Sequence, residues 1–131
     1  MVDIRPISVR WPVAVIAAGQ TTQAGIVEDT LRLDDIRAAN RALQQLVRQR
    51  WYDIERIEYF DYRWYWDTLA EMVAYLDERW YARLRVSQMT FARVETLLAA
   101  ADSGAQICLS RRMVIGRYAK QTLNRALPPQ R

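Results

Sequence analysis

The chain has no histidine, so few of its side chains could do acid–base or nucleophilic chemistry. That absence removes Ser-His-Asp and Cys-His machinery, His-dependent metal sites and imidazole proton transfer. What remains is Asp, Glu, Tyr, a single lysine at Lys120 and a single cysteine at Cys108. With no histidine to activate it, the Cys108 thiol reads as a small buried hydrophobe, and a lone cysteine allows no internal disulfide. The adjacent acids Asp34-Asp35 and Asp77-Glu78 would suit general acid–base work only if each pair converged on one substrate atom. Neighbours in a helix point in different directions, so both pairs read as solvated helix faces. Asp61 is the one acid to test as a base, because it lies inside the most aromatic part of the chain; pairing with Arg63 or another arginine is at least as good a reading. Arg111-Arg112 could grip an anion, although the hairpin turn expected there would leave both solvated.

Residues Trp51–Trp66 hold three of the five tryptophans and four of the seven tyrosines. So much aromatic area must form a core strand, line a pocket or meet a partner. In a pocket, Tyr62, Trp64 and Trp66 would be stacking or hydrogen-bonding walls, with Trp80 from the following helix as a further ligand or interface candidate. Core and subunit interface is the plainer reading, since aromatic residues are enriched at interfaces for their large apolar area and polar handle. Stacking aromatics beside Arg56, Arg63 and Arg79 would also suit single-stranded nucleic acid. The interspersed Asp53, Glu55, Glu58 and Asp61 would repel a phosphate backbone, which weighs against it. The net charge of +4 and pI near 9.6 do not reverse that, because the arginines are spread along the chain among acids.

The elements that must position these residues follow from periodicity. Residues 1–11 read as a loose arm. Val13 to Ala18 is a continuous apolar run after Pro12 and predicts a strand buried on both faces, ended by Gly19. Residues 20–30 are polar and read as a loop. Ile36, Ala39, Leu43, Leu46 and Val47 predict a helix over 33–49, with acids in its first turn and arginines at its end. From Phe60, the residues Tyr62, Trp64 and Trp66 hold one parity, which is strand spacing. The offset of Ile54 from Ile57 and Tyr59 implies a bulge. Thr68-x-x-Glu71 has capping-box spacing and opens a second helix. A third helix starts at Ser87 or Thr90, with Gly104 placed as its left-handed C-terminal residue. Two short strands, 106–109 and 112–119, would form a C-terminal hairpin turning near Ser110-Arg111, and residues 123–131 a flexible tail. The predicted fold is a single α+β domain (or an α/β fragment): a small mixed sheet with about three helices packed on it. The strand–helix–strand unit over 12–66 has the length of a crossover, so its two strands are candidates for a parallel pair.

The order strand, helix, aromatic strand, helices, closing strand resembles the C-terminal half of class I S-adenosylmethionine-dependent methyltransferases. Residues 12–19 look like a late sheet strand, Leu33-Asp34-Asp35-Ile36-Arg37-Ala38-Ala39-Asn40-Arg41-Ala42-Leu43 like the helix after it, 54–62 like the next strand, and Arg112-Met113-Val114-Ile115-Gly116-Arg117 like the closing antiparallel strand. The resemblance spans residues 12–119 and implies S-adenosylmethionine as the family's cofactor. The family holds that cofactor mainly in its N-terminal half, on a Gly-rich turn. Here the four glycines, Gly19, Gly25, Gly104 and Gly116, are far apart, and no G-x-G occurs. No cofactor-binding residue carries over, so this chain alone is expected to bind no cofactor. The resemblance therefore implies a fragment or partner subunit that is not competent by itself. The alternative is a non-enzymatic dimeric interaction or small-ligand-binding module. Either reading expects a homo-oligomer or a partner chain, because a half-sheet leaves an edge bare. The apolar runs are too short to span a bilayer. The aromatic helix from Thr68 carries Glu71, Asp77 and Glu78 on its polar face, which opposes anionic lipid. With no evident signal peptide, the expected location is cytoplasmic.

Overall fold

The computed structural model describes residues 1–30, 33–80 and 84–121. It is an α+β fold of one six-stranded sheet and three helices. In chain order the elements are β1 (Val2–Pro6), β2 (Arg10–Ala17), β3 (Gln20–Asp29), α1 (Leu33–Arg48), β4 (Tyr52–Trp66), α2 (Leu69–Trp80), β5 (Leu84–Val86), α3 (Gln88–Ala100) and β6 (Gln106–Lys120).

β6 is the spine of the sheet. Along one edge it pairs with β4 for nearly its whole length, from Tyr52↔Lys120 to Trp66↔Ile107. Along the other edge it pairs with β2 at Gln106–Leu109 and with β1 at Met113–Arg117. β3 then pairs with β2, and β5 with β3. β6 buries side chains on both faces: Ile107, Leu109 and Met113 on one, and Cys108, Val114 and Tyr118 on the other.

Every pairing is antiparallel. The expected parallel pair is therefore not a hydrogen-bonded pair: β2 and β4 run in the same direction but lie on opposite sides of β6. The expected C-terminal hairpin is also corrected. Ser110-Arg111-Arg112 runs straight through β6, because Arg111 lies on aromatic rings on one face and Arg112 meets Asp61 on the other. The expected loose arm contains β1 and the start of β2. Met1 is tied at both ends: its amino group donates to the Tyr118 carbonyl at 2.8 Å, and the Tyr118 N–H donates to the Met1 carbonyl at 2.8 Å. The expected loop at 20–30 is β3. It follows β2 through a two-residue turn in which Ala18 (φ 51°) and Gly19 (φ 75°) are both left-handed, the geometry that matches the twist of a tight hairpin. The segment expected as a flexible tail, residues 123–131, lies outside the described residues.

The helices form where periodicity places them. The Glu71 N–H donates to Thr68 Oγ1 at 3.2 Å, which caps α2. The Thr90 N–H donates to Ser87 Oγ at 3.1 Å, which caps α3. α3 ends at Ala100, so Gly104 (φ 94°) serves the turn into β6 and not the helix end. α1 closes with the Arg50 N–H on the Val47 carbonyl and the Trp51 N–H on the Leu46 carbonyl, both at 3.0 Å, with Arg50 in the left-handed region. That is the Schellman arrangement with arginine where glycine is usual.

The two faces of the sheet differ. On the front face α2 and α3 cover Trp11, Val13, Val15, Val27, Trp66, Ile107 and Leu109, with Met72, Leu76 and Val94 interleaved. On the rear face α1 lies over the β1 end of the sheet, near Ile57, Tyr59, Val114 and Tyr118, and only its Ile36 is buried. Among the described residues no helix is long and apolar enough to cross a membrane.

Candidate functional site

The bulge between Ile54 and Arg56 sets the parity of β4. Beyond it, Phe60, Tyr62, Trp64 and Trp66 share the front face with Met113, Arg111, Leu109 and Ile107, their cross-strand partners. Burial rises along that row. Phe60 and Tyr62 are exposed, Trp64 is half-buried, and Trp66 is in the core. The row ends deep because Trp66 leads directly into α2, which folds back over it.

α2 supplies the opposite wall. Tyr75, Arg79 and Trp80 fall at i, i+4 and i+5, on the stripe that faces the sheet. The result is a connected set of rings. Trp11 stacks on Trp64 with centroids 5.8 Å apart and planes 17° apart. Trp80 meets both edge-on, at 5.5 Å from Trp11 and 5.3 Å from Trp64. Tyr62 meets Trp64 at 4.7 Å, and Tyr75 bridges Trp66 and Trp80 at 5.5 and 5.7 Å. Such offset and edge-to-face pairs add roughly 0.5–1.5 kcal/mol each beyond the area they bury.

Above this floor is a groove of about 670 Å³ lined by Ile4, Phe60, Tyr62, Trp64, Tyr75, Arg79, Trp80, Arg111 and Met113. Among the described residues its charged groups are two guanidiniums, and no carboxylate lines it. Both are held by rings. Arg111 lies 5.2 Å from the Trp11 ring and 5.9 Å from Trp64, and Arg79 lies 5.2 Å over Tyr75. Arg79 is exposed at the rim.

The structure thus brings Tyr62, Trp64 and Trp80 into one site and places Trp66 beneath it as core. Asp61 is elsewhere. Odd parity puts it on the rear face, where its carboxylate meets Arg63 at 3.4 Å and Arg112 at 3.3 Å. Sequence reading weighed Arg79 beside the aromatics and Arg111 as an anion grip, and it did not nominate Trp11 or Tyr75. The i, i+4, i+5 spacing on α2 was a signal for Tyr75. Trp11 had none, lying in a segment without evident alternation.

A second groove, about 660 Å³, separates α1 from the rear face. Its floor is Ile57, Tyr59, Val114 and Tyr118; Asn40, Gln44 and Arg48 of α1 line it as well, and Arg5 is engaged by Asp3 at 2.8 Å and by Asn40. The aromatic groove has the stronger ligand chemistry. Among the described residues no group of three or more His, Cys, Asp and Glu side chains is placed to hold a metal ion. Comparison of the chain with protein-family models, with curated proteins and with solved structures finds no match, so the groove itself carries the functional argument.

Proposed function

We propose that the chain is a binding module whose site is the aromatic groove, and that its ligand is a flat aromatic molecule bearing an anionic group. The carrying observation is the lining: among the described residues, rings on both walls, two guanidiniums and no acid. Flat rings give a flat ligand large contact at little entropic cost. The arginines supply the one specific polar contact, a charge-assisted hydrogen bond to carboxylate, sulfonate or phosphate.

The matched probes 2-naphthoate and 2-naphthamide test this, because they differ in charge and little in shape. Titration followed by tryptophan fluorescence is expected to show saturable quenching by both, with naphthoate preferred about tenfold, the size of one good charged hydrogen bond. Arg79→Gln should remove most of that preference, and Trp80→Leu should weaken both probes. Equal binding of the two probes, or no saturable binding, would rule the proposal out.

A methyltransferase-related partner subunit is a second reading. It is supported by β2 and β4 running in one direction on either side of a final strand antiparallel to both. Calorimetric titration of the folded chain with S-adenosylhomocysteine tests it. The expected result is no heat of binding, because the chain has no Gly-rich turn on which the cofactor could lie. Saturable binding would show a cofactor site in this chain and exclude the partner-subunit reading.

A further inference from the structure

β4 is fifteen residues long, and among the described residues only β6 pairs with it. Along its other edge, a row of exposed Tyr59, Phe60, Tyr62 and Tyr65, no strand lies beside it among the described residues. Natural proteins guard such edges with proline, charged side chains (lysine above all), a bulge, shortness or a cover. β4 contains no proline and no lysine, and its bulge lies at the far end, between Ile54 and Arg56.

We propose that a second copy of this chain fills the edge: two β4 strands pair antiparallel across a two-fold axis at Tyr62, joining the sheets of two protomers. The charge pattern selects this register. A two-fold axis normal to the sheet keeps each face continuous, so even residues meet even and odd meet odd. With Tyr62 opposite Tyr62 of the second copy, Asp61 falls opposite Arg63 and Arg63 opposite Asp61. Phe60 then faces Trp64, and Tyr59 faces Tyr65. Moving the axis one residue back sets Asp61 against Asp61, and one residue on sets Arg63 against Arg63. Directly opposed like charges destabilise a strand pair, while opposite charges and aromatic pairs stabilise it. In the proposed register Phe60 of each copy also extends the other's groove floor beside Trp64. The proposal stands on the β4 edge and does not need the ligand assignment.

Sedimentation of the full chain without ligand is the test. The expected species has twice the 15.4 kDa chain mass. Asp61→Arg or Arg63→Asp alone opposes like charges twice across the axis and should weaken the dimer about tenfold or more. The double exchange Asp61→Arg/Arg63→Asp restores opposite charges and should recover most of that loss. Far-ultraviolet circular dichroism of each variant shows that the protomer still folds. Register is read independently from Tyr62→Cys, which a short bis-maleimide should cross-link to its mate. Phe60→Cys lies about 14 Å from its own counterpart in this register and should not cross-link. Cys108 is buried and is not expected to compete. A monomeric chain, including one whose edge is covered by its own residues 122–131, would overturn the proposal. So would a dimer indifferent to the single reversals, or cross-linking at 60 in place of 62.

Discussion

Replacing Trp11 by alanine is expected to lower the unfolding free energy by about 3–5 kcal/mol, the range for deleting a large buried aromatic side chain. Trp11 is 1% exposed and touches both walls of the front face, stacking on Trp64 and meeting Trp80 edge-on. Its indole N–H donates to the Ser8 carbonyl at 3.1 Å, which pins the turn between β1 and β2. Alanine leaves a cavity between the sheet and α2 and takes away one of the two rings beneath the Arg111 guanidinium. Against a typical total of roughly 5–15 kcal/mol, the loss is large enough to bring the chain near half-unfolding at modest temperature. Urea denaturation measures it. Trp11→Phe, which keeps a ring but not the donor, should cost only about 1–2 kcal/mol. Naphthoate affinity should fall with Trp11→Ala even though Trp11 does not line the groove, because Trp64 and Trp80 lose the ring they rest on. A cost below about 1 kcal/mol for Trp11→Ala would mean that the stack is incidental to the fold.

Legibility in the sequence followed how far each segment's partners were local. The helices were readable because their apolar faces and caps, Thr68 for α2 and Ser87 for α3, are set by residues three or four positions apart. β4 was readable because Phe60, Tyr62, Trp64 and Trp66 alternate without interruption, and even its bulge left a trace in the offset of Ile54 from Ile57. β3 was not, because its first four residues are exposed on both faces and so show no alternation, and because its turn uses Ala18-Gly19 where Asn-Gly or Asp-Gly would have signalled a hairpin. β6 was cut in two for a related reason. Ser110-Arg111-Arg112 looks like a polar turn until Trp11, Trp64 and Asp61, between 47 and 100 positions away, are seen to receive the two arginines. Half of the candidate site was hidden in the same way. Tyr62, Trp64 and Trp80 belong to elements with clear periods, whereas Trp11 reaches the site only through sheet pairing.

Gly25→Ala is the second change expected to have a large effect, at roughly 2–3 kcal/mol, through overpacking and not through backbone freedom. Gly25 pairs with Val13 beside the irregularity in the β2–β3 ladder, and α3 crosses directly over it. A Cβ there would collide with Thr90 Oγ1 and come within 2.7 Å of its Cγ2 and 2.9 Å of its Cβ. Thr90 is poorly placed to yield. It is 5% exposed, its hydroxyl lies 2.9 Å from Ser87 Oγ, and its N–H is the one that the Ser87 cap satisfies. The relief left is for the first turn of α3 to lift from the sheet, which would loosen Val94, fully buried one turn further along. Thr90→Ala removes Oγ1 and Cγ2 and leaves the tightest remaining approach at 2.9 Å. The double variant Gly25→Ala/Thr90→Ala should therefore be more stable than the sum of the single losses predicts, by about 1–2 kcal/mol of coupling. Chemical denaturation of the four proteins in this cycle measures the term directly. Strict additivity would show that α3 does not rest on the β3 backbone through Thr90.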